Sequence, residues 1–223
     1  MLPHLSPVRL NPSTRLVLAS TSPRRKELLA FLGLPFEVIA PAFVEQVIPH
    51  LPAGRQVAEC ARGKALSSAP RFPDALIVGS DTLISLDSEV LGKPRDLIDA
   101  GAMLRRMSGR THTIFTAVAL VEHSRGFCDV QVATVEVLMK NFDESALAAY
   151  LETKEGLGKA GAYAIQGVGG TLIDRIDGDY TAAVGLPVRM VADMLRLHGV
   201  PFPVDVDRLY ARKPYPNWAR FNP

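Results

Sequence analysis

Six charged side chains of the sequence are candidates for chemistry at a binding site. Four are cationic and two are carboxylates: Arg24, Arg25, Lys64, Lys93, Glu45 and Asp81. Arginine and lysine bind phosphate oxygens through charge-assisted hydrogen bonds. Mg²⁺ is usually held by one or two carboxylates together with the phosphates of the substrate. These residue types predict a site for a polyphosphate and a divalent cation, provided that the fold brings them together.

The stretch LVLASTSPRRKELL, from Leu16 to Leu29, predicts a strand, a turn and a helix. Its first four residues are apolar, as in a buried strand, and its later leucines recur at helical spacing. Ser22 is a good N-cap and Pro23 a good first helical residue. The free amides at that helix start would favour an anion beside the two arginines. An ordinary capped helix with two solvated arginines fits this stretch equally well.

The other candidates also have ordinary structural alternatives. Asp81 directly follows the apolar strand predicted over Ala75–Gly79, but it could simply cap a turn. Lys93 ends a predicted hairpin and could be a turn residue. Lys64 lies off the main apolar line of a helix predicted over residues 53–69, where a solvated lysine is common. Glu45, in a proline-punctuated loop, means nothing by itself.

Alternating strands and helices predict an α/β sheet, which binds ligands beyond the carboxyl ends of its strands. Two long candidates, Thr111–Glu122 and Phe127–Met139, are expected to form an antiparallel pair. Later predictions are a helix capped by Asp143, a glycine-rich functional or disordered segment over Gly156–Gly170, a strand over Thr171–Ile176, a helix starting at Pro187, and a tail without amphipathic period.

Composition predicts one globular domain within the 223 residues, of which 48% are hydrophobic and 22% charged. A formal net charge of +2 argues against a general binder of nucleic acid or membranes. Cys60 and Cys128 lack metal-ligand spacing, so we expect reduced thiols and a cytoplasmic location. The sequence has no G-x-S-x-G, H-E-x-x-H or Walker A motif, so metal-activated water is the simpler chemistry.

Taken together, the motifs resemble the Maf family of nucleoside triphosphate pyrophosphatases over roughly residues 15–199. The matching stretches are LASTSPRRKELL, the Glu45 loop, ARGKA at Lys64, VGSDTL at Asp81, LGKP at Lys93, SGRTHTIFTAV, KAGAYAIQG and GLPV. This resemblance implies an elongated mixed α/β sheet flanked by helices, as in inosine triphosphate pyrophosphatases, with a central cleft. It also implies a homodimer and a divalent cation, Mg²⁺ or in its place Mn²⁺ or Co²⁺.

The resemblance also assigns roles to residues. Glu45 and Asp81 would bind the metal and position water, and Lys64 and Lys93 would neutralise phosphate charge as further catalytic residues. The implied substrate-binding residues are Ser20, Ser22, Arg24, Arg25, Thr82 and Gln166. The family's usual acidic residues are replaced here by Val44, which could loosen metal binding, and by Gly158, which could change the anchoring of the glycine-rich loop.

The pair Asp81-Thr82 together with Ile165-Gln166-Gly167 resembles the branch that prefers dTTP and UTP. That branch implies hydrolysis to a nucleoside monophosphate and pyrophosphate, with CTP or modified pyrimidine nucleotides as further substrates, in cleaning of the nucleotide pool. The Gln166 amide offers a donor and an acceptor, which match the imide edge of thymine or uracil. Alternatively, Gln166 only ties down its own loop.

Two other functions stay open at the level of sequence. One is a nucleotide-binding regulator of cell division or septum formation with weak hydrolysis, and the other is a nucleic-acid-binding module that uses local arginine pairs. The second is disfavoured by the small net charge. We expect three regions: a flexible segment over residues 1–14, the nucleotide pyrophosphatase domain over 15–199, and a carboxy-terminal extension over 200–223.

Overall fold

The computed structural model describes residues 15–46, 48 and 51–221 of the chain. The flexible segment predicted for residues 1–14 lies outside the described residues. The strands are β1 (Leu16–Ala19), β2 (Phe36–Ile39), β3 (Leu76–Leu86), β4 (Glu89–Leu91), β5 (Thr111–Glu122), β6 (Phe127–Met139) and β7 (Ile173–Asp177). The helices are α1 (Pro23–Ala30), α2 (Ala53–Ser68), α3 (Leu97–Met107), α4 (Glu144–Glu152), α5 (Tyr180–Val184), α6 (Val188–Leu197), α7 (Val206–Arg212) and α8 (Pro216–Phe221).

The described strands form one mixed sheet in the order β2-β1-β3-β5-β6-β7, with β4 paired to β3. β1 runs parallel to both β2 and β3, and the other pairs are antiparallel. The predicted antiparallel pair of long strands is confirmed, with Thr111 opposite Leu138 and Glu122 opposite Phe127. The predicted α/β class and the mixed sheet that the family resemblance implies are therefore both confirmed.

Asp81 lies inside a strand, and the prediction that its strand ends at Gly79 is wrong. β1 pairs with β3 only as far as Ala19 opposite Gly79. On its other side β3 pairs with β5 as far as Ser85. Because β5 continues to satisfy the backbone groups, β3 continues through Asp81 beyond the end of β1. The sheet thus has a step at which Asp81 faces the turn that leads into α1.

Helix α2 packs very closely on one face of the sheet. A Cβ added at Gly79 would lie 2.3 Å from the Ala61 carbonyl oxygen and 2.9 Å from the Ala65 Cβ. Small residues on both surfaces permit this approach. It brings the buried Lys64 side chain of α2 over the sheet, so the alternative of a solvated lysine is excluded. The other face of the sheet is covered by the larger apolar core, to which α3, α5 and α6 contribute.

Several late elements differ from their predictions. The last strand begins at Ile173 rather than Thr171, because residues 168–172 form a 3₁₀ turn. The final long helix has Pro187 as its N-cap and begins at Val188. α5, α7 and α8 were not predicted, since helices of five to seven residues are too short to display a period. Within the described residues, no helix is long and apolar enough to cross a membrane.

Candidate active site

A cleft of about 520 Å³ opens at the step in the sheet. It is bounded by the turn before α1, by α2 and β3, by the glycine-rich segment, and by the turn that follows α5. All ten residues predicted for the site line this cleft: Ser20, Ser22, Arg24, Arg25, Glu45, Lys64, Asp81, Thr82, Lys93 and Gln166. The fold therefore brings together residues that are spread along the chain from Ser20 to Gln166.

The turn before α1 is held by two serine hydroxyls. The Ser22 Oγ accepts a hydrogen bond from the Arg25 N–H at 3.5 Å, as the predicted N-cap requires. The Ser20 Oγ accepts one from the Ser22 N–H at 3.1 Å. This geometry fixes the helix start at the cleft wall, where its partial positive charge favours a bound anion.

Arg25 connects three separate walls of the cleft. Its Nε donates to the Gly185 carbonyl at 2.9 Å, and its Nη2 donates to the Thr82 hydroxyl at 3.1 Å. Burial lowers the pKa of Arg25, and the Asp81 carboxylate opposes that shift. Thr82 Oγ1 also lies 3.1 Å from Thr116 Oγ1. Arg25 and Thr82 thus form part of the cleft framework as well as its lining.

The centre of the cleft is a lysine held between two carboxylates. The Lys64 Nζ lies 2.6 Å from Asp81 Oδ1 and 2.5 Å from Glu45 Oε1. Only 8% of each of the Lys64 and Asp81 side chains is exposed, against 53% for Glu45. The hydrogen bond from Lys64 is the main cause that lowers the pKa of Glu45, with Lys93 and Arg25 adding to it. Both carboxylates therefore face the same ammonium group.

Glu45 reaches this cluster because its loop is anchored on α2. The Phe43 ring lies directly against Gly63, so that a Cβ at Gly63 would be 2.1 Å from a ring carbon. Phe43 precedes Glu45 by two residues, and Gly63 is the immediate neighbour of Lys64. A side chain larger than hydrogen at residue 63 would displace the ring. The contact therefore places the Glu45 loop against the part of α2 that carries Lys64.

The remaining cations stand at the more open part of the cleft. Lys93 is exposed beyond β4, and Arg24 is partly buried on α1. Burial lowers the pKa of Arg24, while the Glu155 carboxylate raises it. A fifth cation, Lys159, also lines the cleft and donates from its Nζ to the Glu155 carbonyl. Sequence analysis did not select Lys159, although it lies in the KAGAYAIQG stretch that carried the resemblance.

Tyr163 is a second lining residue that the sequence analysis missed. Its hydroxyl lies 2.7 Å from His112 Nε2 on β5. Burial lowers the pKa of His112 to about 4, so the imidazole is neutral near pH 7. His112 thus contacts a residue of the cleft wall from the sheet behind it. The signal that could have found Tyr163 is its position in the glycine-rich segment, three residues before Gln166.

The glycine-rich segment is ordered by contacts of its own. The Glu155 carboxylate accepts hydrogen bonds from Val168 N–H at 3.0 Å and Gly169 N–H at 2.8 Å. A Cβ at Gly167 would lie 1.7 Å from a Glu155 oxygen, so this glycine accommodates the carboxylate. The anchor of this segment is therefore Glu155, and Gly158, which lies at a positive φ of 73°, has open space around its Cβ position.

The donor set fits a cation that binds together with a polyphosphate. The described residues contain no group of three or more histidine, cysteine or acidic side chains that could hold a metal ion. Asp81 and Glu45 supply carboxylate oxygens to the cleft, where both contact the Lys64 ammonium group. Mg²⁺ accepts such a sparse set when phosphate oxygens and water complete its shell. The two carboxylates would therefore hold the cation only in the presence of the substrate.

A cationic cleft at a helix start, beyond the end of a parallel strand, defines the class of α/β proteins that bind phosphorylated ligands. A family model described as "Maf-like protein" matches residues 15–198. The chain belongs to this family.

Relatives in several bacteria cover most of the chain. A protein of Moorella thermoacetica named "dTTP/UTP pyrophosphatase" is 46% identical over 84% of this chain and 96% of its own length. Proteins of the same name in Bacillus velezensis and Escherichia coli O157:H7 are 46% and 45% identical, over 78% and 82% of this chain and 91% and 92% of theirs.

Proposed function

We propose that this protein hydrolyses nucleoside triphosphates, with preference for dTTP and UTP, to the monophosphate and pyrophosphate. The observation that carries the proposal is the buried Lys64 between Asp81 and Glu45 in a cleft that four further cations line. A triphosphate needs cations along its length, and hydrolysis needs a carboxylate beside the attacked phosphorus. The name shared by the relatives supports the same reaction.

Each part of the cleft has a role in this reaction. The helix start at Ser22 and the guanidinium of Arg24 bind phosphate oxygens, while Arg25 binds them and keeps the cleft walls together. Lys93, which also lines the cleft, neutralises the charge of the departing pyrophosphate in this reaction. Lys64 pairs with both Asp81 and Glu45, and its hydrogen bond lowers the pKa of Glu45 and so favours the ionised form of that carboxylate.

The chemical step replaces one phosphoanhydride bond. The oxygen of a water molecule forms a bond to the α-phosphorus, and the bond from that phosphorus to the oxygen bridging to the β-phosphorus breaks. Asp81, the more buried carboxylate, accepts the proton that the water loses. Glu45 orients the water from the loop side. Asp81 and Glu45 would hold a divalent cation together with the phosphates, and such a cation would neutralise further negative charge.

The base is read by the glycine-rich wall. Gln166 lies half-buried in the lining, with Tyr163 and Ile165 as its neighbours there. Its amide can donate to a carbonyl of thymine or uracil and accept from the ring N3–H. A base with the wrong pattern leaves a buried polar group without a partner, which costs about 1–3 kcal/mol.

The decisive experiment is a screen of nucleoside triphosphates in the presence of Mg²⁺, Mn²⁺ or Co²⁺, in which pyrophosphate and orthophosphate are measured separately. We expect pyrophosphate release that is fastest with dTTP and UTP and that stops when a chelator removes the metal. Orthophosphate without pyrophosphate would show cleavage at a different bond. A preference for a purine nucleotide would contradict the assigned substrate.

The oligomeric state and the cellular location of the protein are also predictions. A homodimer is testable by light scattering, and a cytoplasmic location by fractionation of cells. The free thiols of the buried Cys60 and exposed Cys128 are compatible with a reducing compartment. No contact described above favours a regulator of cell division or a nucleic-acid-binding module over the hydrolase.

A further inference from the structure

The glycine-rich wall of the cleft is held from behind by the carboxy-terminal segment of the chain. The Asn217 Nδ2 donates to the Ile165 carbonyl at 2.8 Å and to the Gly167 carbonyl at 3.3 Å. These two carbonyls flank Gln166, the residue proposed to read the base. The family match ends at residue 198, so Asn217 lies outside the part of the chain that the family shares.

Close packing fixes Asn217 in this position. A Cβ at Gly170 would lie 2.6 Å from the Asn217 Nδ2, so the segment is shaped to receive this amide. The adjacent Trp218 is 1% exposed and stacks on Tyr180, with ring centroids 5.4 Å apart and an interplanar angle of 13°. Tyr210 packs edge-on against the other side of Trp218. The anchored indole leaves α8 little freedom to move relative to the cleft.

The same segment also contacts the opposite wall of the cleft. The Tyr210 hydroxyl donates to Asp179 Oδ2 at 2.8 Å, at the start of α5. α5 ends at Val184, and the carbonyl of the next residue, Gly185, accepts a hydrogen bond from Arg25. Tyr215 of the same segment lies near the glycine-rich wall, with its phenol beside Glu27 and Gln166. Burial raises the pKa of this phenol.

We propose that residues 200–221 position Gln166 for base recognition, with Asn217 as the principal positioning residue. Its amide holds the backbone on both sides of Gln166, and thereby sets where the Gln166 side chain meets the base. Asn217 does not line the cleft and therefore contacts neither the substrate nor the reacting atoms. The inference rests on the proposed function, because it assigns a structural cause to the preference for dTTP and UTP.

The test compares Asn217→Asp and Asn217→Ala with the parent protein. Aspartate keeps the shape of asparagine but cannot donate to the two carbonyls, whereas alanine also removes the packing. Both variants should lower the ratio of kcat/KM for UTP to kcat/KM for CTP by about tenfold, mainly by raising KM for UTP. The reason is that neither a carboxylate nor a methyl group can donate the hydrogen bonds that hold the loop. Arg208→Ala, an exposed change on α7, is the matched control and should leave the ratio unchanged.

A second measurement is independent of activity. Hydrogen exchange of peptides that span residues 163–172 should become faster in both Asn217 variants and remain unchanged in Arg208→Ala. If an Asn217 variant does not fold, Arg220→Ala serves in its place, since this exposed residue donates to the Gly170 and Ile173 carbonyls at 3.3 and 3.4 Å.

The outcomes separate this inference from the proposed function. A parent protein without pyrophosphatase activity would contradict the proposed function, and the exchange measurement would then decide the anchoring by itself. An active, selective parent with unchanged selectivity in the folded variants would overturn the positioning role of Asn217. Unchanged exchange in those variants would overturn it as well.

Discussion

Lys64 and Asp81 form an ion pair in the interior of the cleft, with 2.6 Å between Nζ and Oδ1 and 8% of each side chain exposed. Removal of one member of a buried pair leaves an uncompensated charge, at a cost of about 3–5 kcal/mol in other proteins. Glu45 contacts the same ammonium group from a more exposed loop. The charge of Lys64 therefore faces both carboxylates to which the proposed reaction assigns a role.

Replacement of Lys64 by methionine should lower kcat by at least about a hundredfold, because Asp81 and Glu45 would then repel each other beside the phosphates. The pKa of Glu45 should rise, since the Lys64 hydrogen bond is the main cause that lowers it. NMR titration of the Glu45 carboxyl carbon measures this rise. Lys26→Met, on the exposed side of α1, is the control. An unchanged Glu45 titration in Lys64→Met would refute the assignment.

Asp81→Asn should retain the fold and lose on the order of a hundredfold in kcat, because the amide cannot accept the proton of water. Glu45→Gln should lose less, since Glu45 is the more exposed member and orients the water from the loop. Steady-state rates of pyrophosphate release, with circular dichroism as the check on folding, measure both. If Asp81→Asn turns over at close to the parent rate, Asp81 does not accept the proton of water and serves only as a structural partner of Lys64.

Gly63→Ala should lower activity by displacing the Phe43 ring and with it the Glu45 loop, because the added Cβ would meet the ring at 2.1 Å. Gly54→Ala is a matched control in the same helix, since its Cβ would make only an ordinary contact with Phe115 at 3.5 Å. Either alanine favours the helix by about 1 kcal/mol. We therefore expect a loss of kcat/KM in Gly63→Ala alone. Equal activity of the two variants would exclude Phe43 as the anchor of the loop.

Stability should decline in mild acid because of His112. Burial lowers the pKa of His112 in the folded state from 6.5 to about 4. Above pH 6.5 the imidazole is neutral in both the folded and the unfolded chain, so His112 does not reduce the free energy of unfolding there. Between pH 6.5 and 4 the unfolded chain binds a proton that the folded protein does not, and stability falls by up to about 1.4 kcal/mol per pH unit. Urea unfolding across this range should show a shallower decline for His112→Gln. Parallel curves for parent and variant would show that His112 does not contribute.

Local chemistry in the sequence was sufficient to predict the start of α1. Ser22 and Pro23 define a helix N-terminus through interactions within one turn, and the structure contains that cap. The long strands β5 and β6 were equally predictable, because runs of threonine and valine favour a pleated surface over their whole length. Six of the ten cleft residues were candidates by residue type alone, which reached only a metal and a phosphorylated ligand. Resemblance to a family added the other four as substrate-binding residues: Ser20, Ser22, Thr82 and Gln166.

The end of a strand was not predictable in the same way. β3 continues through Asp81 because β5, more than thirty residues further along the chain, supplies hydrogen-bond partners there. The contact of Phe43 with Gly63 likewise joins residues whose spacing carries no period. The proposed positioning of Gln166 by the carboxy-terminal segment depends on hydrogen bonds from Asn217 to the Ile165 and Gly167 carbonyls, about fifty residues earlier in the chain. No sequence pattern indicates these contacts.

The sequence by itself therefore determined the longer elements and the chemical types at the site, since propensity, capping and side-chain chemistry act locally. Tertiary structure alone decided which charges share one ammonium group, which glycines admit a close approach, and that α8 supports the wall beside Gln166. These relationships depend on packing between distant segments. Differences of a few tenths of an ångström in packing distance cannot be predicted from a local sequence pattern.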